Sequence, residues 1–130
     1  DGQQATDLIV FKAADMRIAA RVRDATKYQE KYGHQFTVRS KRDNGVMTEL
    51  EKIQRGWGDW LFYGFGNGDL TISLWHLIDL DAFRYHINRE SWISSGIKIN
   101  ARSNGDGTHF KAFDIYSFPD DPPLVVATSL

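Results

Sequence analysis

The stretch "DWLFYGF", residues 59–65, is apolar at almost every position, and "GNGD" and a second apolar run, "LTISLWHLIDL", follow it directly. A strand that alternates has one wet face, whereas a strand with no alternation must be covered on both. The pair predicts a central strand that turns through a tight loop into an antiparallel partner. It also demands a layer of other elements against the sheet. At 130 residues the chain can bury such a core as one domain without staples.

Other segments do alternate. In "RIAARVRD", Ile18, Ala20 and Val22 fall on one face and Arg17, Arg21 and Arg23 on the other, the period of a half-buried strand. "HQFTVRSK" repeats the pattern, with Phe36 and Val38 inward and Gln35, Thr37, Arg39 and Lys41 outward. Between them "ATKYQEKYG" is polar and ends at Gly33, which reads as a loop or a single helical turn. "DLIVF", residues 7–11, is a short β-rich run, and "DNG" is a turn. Thr48 and Glu51 have capping-box spacing, and Gly56 stands where a helix would stop, so a short helix with Leu50 and Ile53 buried is predicted. "DAFRYHINRESW" has helical spacing, with Phe83, Ile87 and Trp92 inward. "KINARSNGDGTHFKAFDIYSF" reads as a second hairpin, and the proline-bearing "PDDPPLVVATSL" as an edge segment. The expected class is α+β: a single mixed, mostly antiparallel sheet with about two helices.

Three constellations carry chemistry. If the two alternating strands are neighbours, Arg17, Arg21 and Arg23 line up beside Arg39 and Lys41 in a basic stripe suited to phosphate, because a guanidinium donates two parallel hydrogen bonds. The competing reading is a solvated face balanced by Asp24, Asp43 and Glu49. The second constellation is acidic. Asp59 opens the central strand while Asp79 and Asp81 close its partner, so the three are expected at one end of the sheet, with Glu49 and Lys52 facing them. Carboxylates beside a lysine supply oxygen ligands for Mg²⁺ and a cation for developing charge. The plainer reading makes Asp81 a helix N-cap and lets Glu49 and Lys52 pair along one helix. The third is aromatic: Trp57, between two glycines, is the candidate for exposure and base stacking.

Several classes are excluded or left without a signal. There is no cysteine, hence no disulfide, thiolate metal site or cysteine nucleophile. That usage fits a reducing compartment, the cytoplasm. No apolar run has the length of a membrane span, and "DGQQATD" lacks signal-peptide anatomy. The opening Asp1, in place of methionine, implies preceding residues. Net charge is −1, but residues 1–57 hold 11 Lys+Arg against 8 acids (+3) and residues 58–130 hold 5 against 9 (−4). A basic face on a near-neutral domain is the expectation. His34, His76, His86 and His109 show no metal-ligand spacing, and no P-loop or serine elbow occurs.

The order strand–strand–strand–helix–strand over roughly residues 6–65, with "TD" before the first strand and a polar-basic third strand, resembles the core of restriction-endonuclease-like nucleases. The segments "TELEKIQRGWGDWLFYGF" and "WHLIDLDAFR" also look like small proteins of bacterial viruses and mobile elements, a likeness that implies no particular activity. The nuclease resemblance implies Mg²⁺-dependent phosphodiester cleavage, with Asp7 as the first acid. The acid-x-Lys triplet that should follow falls on Thr37-Val38-Arg39, where neither the acid nor the lysine stands. A metal site would then consist of Asp7, Glu49 and Asp59, with Lys52 stabilising charge and Arg21, Arg23 and Arg39 positioning phosphates. The alternative is a non-enzymatic module or inhibitor that contacts DNA, RNA or a host protein through the arginine stripe and Trp57. A self-associating subunit that pairs an edge strand with a second copy is the third.

Overall fold

The computed structural model describes residues 17–42, 48–88, 96–103 and 107–130. The run at 7–11, the "DNG" turn and Trp92 lie outside them. Among the described residues, seven strands and three α-helices follow in the order β1 (Ile18–Asp24), α1 (Ala25–Tyr32), β2 (Gln35–Arg42), α2 (Glu49–Gln54), β3 (Trp60–Gly66), β4 (Ile72–Asp79), α3 (Leu80–Ile87), β5 (Ile99–Ser103), β6 (Thr108–Asp114) and β7 (Val125–Thr128). The class is α+β as expected, but the strands form two sheets. One runs β1-β3-β4-β7, with β1 parallel to β3 and the other pairs antiparallel; the second runs β2-β6-β5 and is wholly antiparallel.

The apolar strand is central, as predicted: β3 is flanked by β1 and β4, and its five middle residues are all buried. The second hairpin forms between β5 and β6, and the proline-bearing tail supplies the edge strand β7. The two arginine-bearing strands are not neighbours in a sheet, however. Alternation tells which residues share a face and says nothing about which strand lies alongside. β1 pairs with β3, and β2 with β6.

The sheets pack through an aromatic core. Phe36 of β2 stacks on its register partner Phe113 at 5.3 Å between ring centroids and meets Phe83 of α3 edge-on at 5.5 Å. Tyr63 of β3 approaches Phe36 edge-on at 6.3 Å, which joins the sheets. Such offset and edge-on pairs add modestly to the burial that drives the packing.

Among the described residues three α-helices form, where about two were expected. α1 carries no buried residue, so it lacks the apolar stripe that announces a helix. It starts because the Asp24 carboxylate accepts from Lys27 N–H at 3.3 Å, and it docks on the core through Ala25 and Tyr28. A side chain at Gly33, its C-cap, would meet the Gln29 carbonyl at 2.6 Å and Leu74 at 3.0 Å.

α2 begins at Thr48, whose hydroxyl donates to the Glu51 carboxylate at 3.3 Å. It makes no hydrogen bond to the helix backbone, so the predicted reciprocal box is not formed. The stop is as predicted: Gly56 takes φ +97°, its N–H donates to Ile53 O at 3.0 Å, and Trp57 N–H donates to Lys52 O at 3.0 Å. Leu50 and Ile53 are buried. α3 is capped by Asp79, which accepts from Asp81 and Ala82 N–H at 2.9 and 3.2 Å, and not by Asp81. Asp81 instead pairs with Arg84, whose Nη1 also donates to Ile53 O and Gly58 O, each at 3.1 Å. That guanidinium ties α3 to the turn carrying Trp57.

His76 is packed mid-strand, as expected, at 1% exposure. Its Nδ1 lies 3.0 Å from the Thr128 hydroxyl of β7, and its Nε2 has no partner among the described residues. Burial lowers its pKa below the ordinary 6.5; the nearby Gly33 backbone opposes that shift without completing a hydrogen bond. The folded state therefore binds the proton less readily than the unfolded chain. The stabilisation from neutral His76 is complete above about pH 6.5 and declines as pH falls below it. Thermal melts between about pH 7.5 and 5.5 are expected to show Tm dropping more steeply for the wild type than for His76→Gln. Parallel slopes would remove His76 as the cause.

Candidate nucleic-acid interface

The phase of β1 is the reverse of that expected. Arg21 and Arg23 lie beside Tyr63 and Phe65 in the register with β3, on the face turned toward β2, while Val22 is 53% exposed. Guanidiniums can occupy this inner face because polar partners meet them there. Arg21 Nη1 donates to Thr37 O at 2.9 Å, and Arg21 Nη2 forms an ion pair with Glu49 at 2.6 Å. Arg23 Nη1 donates to the Thr37 hydroxyl at 3.2 Å and to the Tyr63 hydroxyl at 3.3 Å. Its guanidinium also lies 4.3 Å from the centroid of the Tyr28 ring. Burial alone would lower the Arg23 pKa, but Tyr63 and Tyr28 together outweigh it and raise the value.

These residues line an open cleft of about 530 Å³. Among the described residues, four arginines reach its wall, Arg21, Arg23, Arg39 and Arg102, and no Asp or Glu does. Aromatic rings fill the spaces between the charges. Tyr28 and Tyr32 stand one turn apart on α1 at 6.5 Å between centroids, and Arg102 lies 5.4 Å from the Tyr32 centroid. Of the expected counter-charges among the described residues, Glu49 alone neutralises part of this wall, through Arg21. Asp24 caps α1, Asp43 is outside the described residues, and Glu49 sits at one end holding Arg21 and the Arg39 backbone N–H.

A second cavity, about 400 Å³, adjoins α2 and contains Glu49, Lys52 and Trp57. Arg21 and Arg39 line both cavities. Trp57 is exposed, as expected, and the Lys52 ammonium lies 5.2 Å from its ring centroid. The expected Glu49–Lys52 pair is therefore replaced by Glu49–Arg21 and Lys52–Trp57 contacts. Lys41 pairs its backbone with His109, and its side chain lies outside the described residues.

Asp59 and Asp79 do share one sheet end: Trp60 pairs with Asp79, and Leu80 N–H donates to Asp59 O at 3.1 Å. Each carboxylate has a local task. Asp59 accepts from Arg17 N–H at 2.8 Å, with Arg17 Nε 3.8 Å away, and Asp79 caps α3. Asp59 lines neither cavity. Asp7 lies outside the described residues, and among those described no three His, Asp or Glu side chains group as metal ligands.

Sequence reasoning overlooked Tyr28, Tyr32, Tyr63, Arg102 and Thr37 as parts of the site. The i, i+4 spacing of Tyr28 and Tyr32 would have placed both on one face once 25–32 was taken as a helix. Tyr63 was hidden inside the core strand. No family model matches the chain, nor does any curated protein or solved structure.

Proposed function

We propose that this protein is a non-enzymatic nucleic-acid-binding module whose cleft between the two sheets takes the phosphodiester backbone. The observation that carries this reading is a concave wall with, among the described residues, four guanidiniums, no lining carboxylate and interleaved tyrosine rings. Arginine forks match phosphate oxygens, and the rings add faces on which sugars and bases can pack. In the described residues, no helix is long and apolar enough to cross a membrane.

Fluorescence anisotropy with labelled oligonucleotides tests this reading. Affinity is expected to fall with salt, with a log–log slope of about −2 to −3 if three or four phosphates are neutralised on a single strand. Absence of binding, or binding indifferent to salt, overturns it. The same titration with Mg²⁺ separates binding from cleavage. Intact oligonucleotide is the expected result, whereas cut product would transfer the role to Asp7, Glu49, Asp59 and Lys52.

A further inference from the structure

We infer that the cavity beside α2 is a base-stacking subsite continuous with the cleft, so that the ligand is single-stranded nucleic acid with one phosphate held between Arg21 and Arg39. This rests on the nucleic-acid reading above and adds a strand preference and a second subsite to it.

The seam is the first argument. Arg21 and Arg39 belong to both cavities, so a chain running through the cleft meets the α2 cavity at a point of positive charge. Glu49 is already held by Arg21 Nη2 and the Arg39 backbone N–H. The Arg39 guanidinium, on an exposed residue, has no ion-pair partner among the described residues. The cavity's other walls are apolar at Ile53, Leu61 and Leu80, as a slot for a nucleobase requires.

Trp57 is the second argument. It is 55% exposed, yet its backbone is fixed on both sides. Its own N–H closes the end of α2, and the next carbonyl, Gly58 O, accepts from Arg84 at 3.1 Å. A large ring held in water on a rigid turn is a prepared stacking surface. The faces of bases within a duplex are already covered by their neighbours, so only an unpaired nucleotide can present a face to this ring.

The test compares an oligothymidylate dodecamer, an oligouridylate dodecamer, an abasic sugar-phosphate strand of equal length and a duplex, each against wild type, Trp57→Ala and Trp57→Phe. Wild type is expected to bind the thymidylate strand about 10- to 100-fold more tightly than the abasic strand or the duplex. Trp57→Ala closes that gap without weakening abasic binding, and Trp57→Phe keeps most of it. The uridylate arm tells RNA from DNA, and binding of either strand with this Trp57 dependence supports the subsite. Equal binding of base-bearing and abasic strands by wild type, or a gap that survives Trp57→Ala, overturns it. Salt-dependent binding of every strand without Trp57 dependence removes the subsite alone; if no strand binds, the nucleic-acid reading fails with it.

Discussion

Replacing Arg21 and Arg23 together by glutamine is expected to weaken oligonucleotide binding about 30- to 1,000-fold, since each substitution removes a charge-assisted contact of about 1–2 kcal/mol. The log–log salt slope should become shallower by about 1.4, because each phosphate neutralised on a single strand contributes about 0.7. The glutamine amide ends two bonds short of arginine Nη1, so the hydrogen bonds to Thr37 at 2.9 and 3.2 Å are given up to water at these part-buried positions. The Arg21–Glu49 pair is partly exposed and contributes little to stability, about 1 kcal/mol or less, so the melting temperature should move by only a few degrees. Lys98, which precedes β5 at the end away from Arg102, is the control. Lys98→Gln removes a charge outside the cleft and should leave the slope unchanged. A slope equally indifferent to Arg21 and Arg23 would show that phosphate does not enter the cleft.

The second large effect concerns the core. Phe36→Ala is expected to lower the free energy of unfolding by about 3–5 kcal/mol, read from urea or guanidinium transitions. Phe36 is fully buried, and four other aromatic rings, Phe113, Phe83, Tyr63 and Phe118, have centroids within 6.5 Å of its own. Its removal leaves a void bordered by both sheets and α3, which the rigid aromatic neighbours cannot close. A domain of this size has about 5–15 kcal/mol of stability in total, so the loss would be severe. A cost below about 1.5 kcal/mol would mean that this ring does not join the two sheets.

What the sequence made legible was local. The 59–65 run, the turn after it and the Gly56 stop depend on neighbours in the chain, and each stands where it was expected. Phe36 and Val38 point inward because no partner on the outer side could satisfy the burial they need. β1 failed for a physical reason. Its alternation is real, but a three-arginine face and an Ile-Ala-Val face are distinguished only by what lies opposite. Thr37, Tyr63 and Glu49 make the inner position tolerable for Arg21 and Arg23. Those partners are 14 to 40 residues away in sequence, beyond the reach of any periodicity. The cleft was therefore seen as a flat stripe, and its aromatic half was missed with α1.

The chain path through the two sheets also constrains how the molecule can be made. β1 and β3 are adjacent and parallel, yet β2, which lies between them in the chain, belongs to the other sheet. β2 in turn must wait for β6, which is synthesised after β4. Neither sheet can be completed from one contiguous stretch of polypeptide, so no half of the sequence is an autonomous folding unit. Assembly must close long loops before distant pairings reward it, placing the protein among slow folders, on the order of milliseconds to seconds. The same weaving draws the cleft wall from β1 through β6, so a nascent chain cannot present a finished binding surface before β6 emerges.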